Sequence, residues 1–400
     1  MTRALIIGSG IAGPAAALAF AKAGVEARIF EKHPRPADEA GVFFTLGSNG
    51  LDALATIGLQ DAALAHGFAT PAIELRSGTG KPLGVSRIGT ARADGTTSQT
   101  MRRADLYAVL RDRAVAQGIP LSYGKELVDA VDTGDGVVAT FRDGTTAQGD
   151  ILVGCDGVHS PTRRLIDVDA PAPVSAGLIN YGGYTSGVAV DTDPGTFRMI
   201  FGAQAFFGYA VAPDQTVWWF VNEPTDVLTA ASLPARSASE LRRHLSGLFR
   251  GDSGPAAELI AAAHDLARPT LTHLLPHLPR WHRGRMVVIG DAAHAPSPSS
   301  GQGASLSIED ALVLAQCVRD IGATPSALER FETIRRPRVE RIVKAAARVN
   351  SNKAATGLAR RMRDLVLPVV LRLGGTTGVE ETYGHHIDWE QSRSLSAGPR

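Results

Sequence analysis

The stretch RALIIGSGIAGPAAALAFAKAGVEARIFEK, residues 3–32, decides how the chain begins to fold. Ala4–Ile7 is a near-continuous apolar run, the pattern of a strand buried on both faces. Ile11–Ala23 is an Ala-rich segment ended by Gly24, which predicts a helix. Ala27–Glu31 reads as a second strand, so the opening is a βαβ start. Between first strand and helix lies Gly8-Ser9-Gly10-Ile11-Ala12-Gly13. In this spacing Gly8 permits a tight turn. Gly10 lets backbone approach a pyrophosphate, and Gly13 allows close packing of helix on strand. The helix start at Ile11 and Ala12 offers free N–H groups and a positive dipole end to phosphates. Glu31, 18 residues past Gly13, is spaced to accept hydrogen bonds from ribose hydroxyls. Lys32 and Arg35 follow it, either flanking the adenosine or as surface charge. The motif by itself does not separate FAD from NAD.

A second stretch, Arg285–Asp310, reads RMVVIGDAAHAPSPSSGQGASLSIED. A buried strand runs into Gly290-Asp291, and Pro296, Pro298 and Gly301-Gln302-Gly303 shape a loop before a helix that begins near Ala304. An Asp at a strand end can bind a ribityl hydroxyl. A helix N-terminus behind a Gly-rich loop can stabilise negative charge at one edge of a flavin ring. His294 in this loop is read as hydrogen-bonding the loop backbone rather than as a catalytic base, because geometry must precede pKa in naming a base.

Between these stretches the pattern changes twice. Asn49–Ile57 predicts a short helix, Pro71–Ser86 a hairpin turning near Ser77–Gly80, and Arg103–Gln117 a helix ended by Gly118. Lys125–Phe141 alternates as a hairpin, and Asp150–Val153 is a buried strand entering Gly154-Cys155-Asp156-Gly157. From Leu178 to Val221 aromatic residues crowd into short alternating runs, the composition of an antiparallel sheet. Phe43, Phe44, Tyr181, Phe201, Phe207, Tyr209 and Trp218 are the candidates for an apolar substrate pocket. Phe207, Tyr209 and Val211 share one face. Trp218 and Phe220 oppose Val217, Trp219 and Val221, and the sequence leaves open which face meets a ligand. Arg198, in an alternating run, is assigned to a solvated face rather than to an anionic substrate group. Ser237 and Glu240 predict a capping box for a helix to Phe249.

The expected architecture is therefore α/β: a Rossmann-like FAD-binding domain with an inserted β-rich substrate domain and C-terminal helices. The first domain is assigned to residues 1–70, 98–170 and 280–350, and the second to 71–97 and 171–279. Residues 351–383 form a C-terminal helical segment, in which Gly357–Leu371 carries Arg360, Arg361 and Arg363 and is expected to pack on the flavin domain rather than touch a membrane. Residues 384–400 are read as a loosely ordered tail.

Bulk properties narrow the function. Lys plus Arg number 41 and Asp plus Glu 40, a net charge of +1, which argues against a nucleic-acid partner. Two cysteines, Cys155 and Cys317, are too few for a disulfide framework or a four-ligand zinc site, and no metal is expected. A reduced, cytoplasmic chain with no membrane span is the simplest reading, as monomer or homodimer. Ala4–Ala23 imitates a signal peptide, but Gly8, Gly10, Gly13 and Pro14 interrupt it.

Taken with RADL at Arg103–Leu106 and CDGVHSPTR at Cys155–Arg163, these motifs resemble the single-component FAD-dependent aromatic hydroxylases, the para-hydroxybenzoate hydroxylase-like monooxygenases. The matching segments run in the family's order from residue 3 to about residue 350. The resemblance implies that Asp156 and Gly157 serve flavin and NAD(P)H binding, that Asp291 binds the ribityl chain, and that Arg103 contacts FAD. It extends the cofactor set to Gly8, Gly10, Ile11, Ala12, Gly13, Glu31, Lys32, Val128, Gly301, Gly303, Ala304 and Ser305. Relatives often carry Asn where this chain has Ser305. They include larger phenol hydroxylases with a thioredoxin-like C-terminal domain that this chain lacks. The activity implied is reduction of tightly but non-covalently held FAD by transient NAD(P)H, reaction with O2, and transfer of one oxygen atom to an aromatic or polycyclic molecule through a flavin C4a-(hydro)peroxide. Hydroxylation is the favoured outcome. No side-chain nucleophile is needed, and backbone N–H groups of Pro296–Gly303, around Gly301, Gln302 and Gly303, are the candidates for stabilising the peroxide. The alternatives are an FAD-linked oxidase or dehydrogenase, an epoxidase or Baeyer–Villiger-type enzyme, a halogenase, whose Trp-x-Trp-x-Ile-Pro signature Trp218-Trp219-Phe220 does not match, and a non-enzymatic nucleotide-binding module.

Overall fold

Short apolar strands buried on both faces associate in parallel when helices cover them. In the computed structural model, which describes residues 2–36, 42–89, 91–227, 229–298, 301–351, 362, 364–368 and 377–394, that association forms a six-stranded sheet. Its order is His282–Arg283, Met286–Val288, Ile151–Gly154, Arg3–Ile7, Glu26–Glu31, Leu121–Tyr123. Every pair is parallel except the edge strand His282–Arg283. The opening stretch and the stretch after residue 285 thus flank one shared strand, Ile151–Gly154. Because the strands are parallel, Gly8, Cys155-Asp156 and Gly290-Asp291 all emerge at the same, carboxyl edge, where open α/β sheets bind ligands. The helices Ala12–Lys22 and Gly303–Ile321 pack together over this sheet.

The aromatic segment builds a separate sheet. In order it holds Asp265–Leu266, Val174–Thr185, Val217–Pro224, Phe206–Val211, Thr196–Phe201, Ala72–Ser77 and Pro82–Arg87, with Thr270–Leu274 also pairing with Val174–Thr185. The predicted hairpin Pro71–Ser86 is thereby drawn out of sequence order, its first strand running parallel to Thr196–Phe201. Helices Ala238–Leu248 and Ala256–Ala261 cover one face of this sheet, and Ser237 with Glu240 forms the predicted capping box. A small three-stranded sheet of Phe43–Leu46, Gln99–Arg102 and Gly67–Ala69 adjoins the other face.

Two C-terminal expectations change. Residues 384–394 are anchored rather than loose: Ile387 is buried in the core, Gln316 donates to the carbonyls of Asp388 and Trp389, and Arg319 sits over the Trp389 ring. Polar composition concealed this, because the anchoring uses backbone carbonyls, which any sequence carries. Of the helix predicted over residues 357–371, only Met362 and residues 364–368 are described, and they are helical; Arg360, Arg361 and Arg363 lie outside the described residues. Leu367 packs with Leu83, Phe201 and Phe206 of the large sheet, not on the parallel-sheet domain. Among the described residues no helix is long and apolar enough to cross a membrane.

Candidate active site

The three motif glycines do three different physical jobs. Gly8 has φ +102°, and a Cβ there would lie 2.5 Å from the Cys155 carbonyl oxygen, so it allows the turn and the approach of the neighbouring strand. At Gly13 a Cβ would overlap the carbonyl oxygen of Gly8. At Gly10 a Cβ would meet nothing within 4 Å. It faces an open cleft lined by Gly10, Ile11, Ala12, Arg103, Cys155, Gly157, Asp291, Pro296–Pro298 and Gly301–Ala304, enclosing about 900 Å³ to its mouth.

The remaining cofactor candidates divide by position. Glu31 is pinned beside the glycine turn, its carboxylate accepting from the backbone N–H of Ser9 at 2.8 Å and of His33 at 2.9 Å. Arg103 opens the helix Arg103–Ala116 and donates to the Tyr107 hydroxyl at 2.7 Å on the cleft wall. Asp291 stands in a 3-10 turn, Gly290–Ala292, on the same wall. The helix Gly303–Ile321 directs its N-terminus, with its positive dipole end, into the cleft. Asp156 caps the helix Pro161–Ile166, accepting from the Thr162 amide at 3.0 Å and hydroxyl at 2.6 Å. Its Oδ1 is buried with no partner among the described residues, and burial raises its pKa despite those hydrogen bonds. The space at Gly10, two helix N-termini, the cation of Arg103 and the acceptor of Asp291 fit a dinucleotide that carries a further ring system.

Three positions differ from expectation. Val128 is 44% exposed and faces a shallow recess with His159, Arg164 and Pro173, not the cleft; its strand turns it outward. Lys32 is exposed, outside the cleft lining. Ser305 is fully buried, and its Oγ accepts from the Gly47 amide at 3.2 Å, so its side chain faces the helix Ser48–Thr56 instead of the cleft. His294 also departs from its assignment. It pairs not with loop backbone but with the Asp310 carboxylate, Nε2 to Oδ2 2.6 Å, because the loop folds back over its own following helix.

That contact belongs to a buried ionic network that supports the loop. Asp310 also accepts from the Gly290 amide at 3.0 Å and pairs with Arg335 at 2.7 Å. Glu309 pairs with Arg335 and Arg338, each at 2.8 Å. Asn49 donates to Glu309 at 2.7 Å and to Gln302, which is 1% exposed, at 2.9 Å. Burial opposes the charge of Glu309, but Arg335 and Arg338 outweigh it and hold its pKa at about 2. No sequence motif marks this network. Its signal is acidic and basic residues at apolar-periodic positions of the helices Gly303–Ile321 and Pro325–Ser351.

A second cavity, of about 820 Å³, opens from the first and shares Phe44, Pro298 and Gly301 with it. Phe43 and Phe44 line it, as expected. Tyr181, Phe207 and Tyr209 do not: they point to the opposite face, into the core beneath Ala238–Leu248. Trp218 packs edge-on against Phe68 and Tyr184 behind Phe43, and Phe201 lies with Leu83 and Phe206. Arg198 is not solvated but buried, paired with Glu74 at 2.7 Å on the helix-covered face. In their place Phe197, Met199, Phe220, Asn180 and Asn222 line the cavity, joined by Tyr383 from the C-terminal helix. The alternation at Trp218 and Phe220 held this information, but only the packing of helices on the other face chooses between the two sides.

Comparison with known proteins agrees with this geometry. Residues 1–346 match the FAD binding domain family. The chain is 30% identical over 395 residues to 3-amino-4-hydroxybenzoate 2-monooxygenase of Streptomyces platensis, covering 93% of both chains. It is 29% identical over 355 residues to the aurachin C monooxygenase/isomerase of Stigmatella aurantiaca, covering 86% of this chain and 88% of that one. Among solved structures, Klebsiella pneumoniae HpxO complexed with FAD and uric acid superposes with a TM-score of 0.82 at 24% identity, over 96% of each chain, which shows a shared fold. The chain belongs to the FAD binding domain family and is a flavoprotein monooxygenase of the single-component, FAD-dependent aromatic hydroxylase group.

Proposed function

We propose that this enzyme uses NAD(P)H and O2 to hydroxylate an aromatic or polycyclic small molecule bound in the cavity beside Pro298 and Gly301. The observation that carries this reading is the junction of the two cavities. A polar cleft built for a dinucleotide meets an apolar pocket at Phe44, Pro298 and Gly301, so a ring held in one faces a ring held in the other. When bound, FAD supplies electron transfer from NAD(P)H and activation of oxygen. Gly8–Gly13 and the first helix turn hold the pyrophosphate, and Glu31 the adenosine ribose. Asp291 and Arg103 contact the flavin side, and the N-terminus of Gly303–Ile321 balances negative charge on the ring. The buried network fixes Gly290 and Gln302, so these two positions on either side of the loop are held before a cofactor binds. Phe43, Phe44, Phe197 and Phe220 exclude water and orient the substrate.

NAD(P)H binds transiently and FAD stays bound without a covalent link. Residues 1–70, 98–170 and 280–350 act as the cofactor domain, and 71–97 with 171–279 as the substrate domain. The protein works in the cytoplasm, as a monomer or homodimer. The test is NAD(P)H oxidation and oxygen uptake by purified, yellow protein against a panel of phenols and polycyclic compounds, with product mass measured. A product heavier by one oxygen atom is expected. NAD(P)H oxidation without oxygen uptake would reassign the enzyme as a dehydrogenase.

A further inference from the structure

Among the described residues no charged side chain lines the substrate cavity. Its walls are Phe43, Phe44, Ile73, Phe197, Met199 and Phe220, and its polar side chains, on Thr45, Asn180, Asn222 and Tyr383, are neutral. The strand alternation accounts for this. Ile73 and Phe197 face the cavity, whereas Glu74, Arg76 and Arg198 on the same strands face away and pair with one another, Glu74 lying 2.7 Å from each arginine. A carboxylate brought into this cavity would lose its water without gaining a cation, which is strongly unfavourable.

The floor of the cavity carries one polar strip. Asn180 and Asn222 are register partners on neighbouring strands, and Asn222 Nδ2 donates to Asn180 Oδ1 at 2.9 Å. Beside them, Phe220 is flanked in register by Gly182 and Gly208, and a Cβ on Gly208 would overlap its ring. Gly208 thus lets the Phe220 ring lie across the sheet next to the two amides, while Gly182 makes room for Val42. Asn180 Nδ2 makes no hydrogen bond among the described residues and its Oδ1 keeps a second lone pair, so this one amide presents both a donor and an acceptor.

We propose that the substrate is an uncharged, planar, bicyclic or larger ring system whose amide-like edge, a carbonyl beside an N–H, hydrogen-bonds to Asn180, and that aromatic acids are excluded. This rests on the assignment of the cavity as the substrate pocket and narrows what it accepts.

The test titrates FAD-loaded full-length enzyme, followed by flavin fluorescence, with three probes: 2-quinolone, its 4-carboxylate, and naphthalene. The neutral lactam-type ring is expected to bind at least about tenfold more tightly than the carboxylate. In Asn180→Leu, 2-quinolone affinity is expected to fall about three- to tenfold while naphthalene affinity is unchanged. A merely structural role for Asn180 would weaken both probes equally. If Asn180→Leu fails to fold, the smaller Asn180→Ala, which also removes the amide, carries the same comparison. Equal or tighter binding of the carboxylate, parallel loss of naphthalene binding, or no binding of any ring overturns the inference. Oxygenation is read separately by product mass, so tight quinolone binding without oxygenation would count against the monooxygenase reading of the cavity while leaving its preference for neutral rings standing.

Discussion

Gly10 and Gly13 stand three residues apart, and their substitutions should fail differently. Gly13→Ala would drive a methyl group into the Gly8 carbonyl, so it should destabilise the fold by about 1–3 kcal/mol, seen as a lowered urea midpoint with or without cofactor. Gly10→Ala meets no protein atom, so the apoprotein should unfold within about 0.5 kcal/mol of the parent. Its FAD affinity should drop, because the methyl group occupies the space a pyrophosphate needs. Equal stability and equal flavin retention in Gly10→Ala would remove the motif from cofactor binding. Asp291→Ala should likewise keep its fold yet lose flavin on gel filtration, read from the visible absorbance of the eluted protein; unchanged occupancy would dismiss the ribityl contact. These roles were legible in residue type and spacing, since a turn and a close approach depend on the local chain.

At the scale of elements, the site depends on how two helices and one loop are clamped. Arg335 joins Glu309 and Asp310 on the helix Gly303–Ile321 from the helix Pro325–Ser351. Removing it leaves two carboxylates buried and short of a partner, so Arg335→Leu should cost about 3–5 kcal/mol. Because Asp310 also holds Gly290 and His294, flavin affinity should fall in the same variant; thermal unfolding and flavin titration check the two effects separately. Neither helix announced this clamp. A buried charge is recognisable only when its counter-charge from another element is seen. The aromatic strands make the same point. Their period of two separates Trp218 and Phe220 from Trp219 and Val221, but periodicity is symmetric between faces. The helices Ala238–Leu248 and Ala256–Ala261 break the symmetry by burying the second set.

Across the whole molecule, the C-terminal segment ties distant parts together. Arg338 donates to the carbonyls of Glu381 and Thr382, and Tyr383 reaches the substrate cavity, its pKa pushed up to about 12 by burial. A chain ending at residue 376 should lose about 3 kcal/mol, from several hydrogen bonds of about 1 kcal/mol each, and should consume more NAD(P)H than it forms product. Product per NAD(P)H equal to the full chain's would show that the segment only braces the fold. This region also sets the acid response. Burial, together with Arg338 and Arg335 and against the pull of Glu309, lowers the pKa of His385 from 6.5 to about 4. Between those values the unfolded chain takes up a proton that the folded chain refuses, so stability falls as pH drops from 6.5 toward 4. Glu309, lowered from 4.5 to about 2, continues the loss below pH 4.5, since its contribution is whole above that value and gone below 2. Urea midpoints across this range should show the slope, and His385→Asn should flatten its upper part; an unchanged slope in that variant would exclude His385 as the cause.

By itself the sequence determined the βαβ start, the glycine turn, the strand-to-loop passage at Gly290-Asp291 and the presence of an aromatic sheet, because these depend on local sterics and on the period of each element. Tertiary structure alone decided that the two nucleotide-binding stretches flank the strand Ile151–Gly154, which aromatic face lines the cavity, where Arg198 and Ser305 point, and that residues 384–394 are held. Those outcomes come from pairings between residues far apart in the chain, whose energies do not exist until both partners are brought into contact.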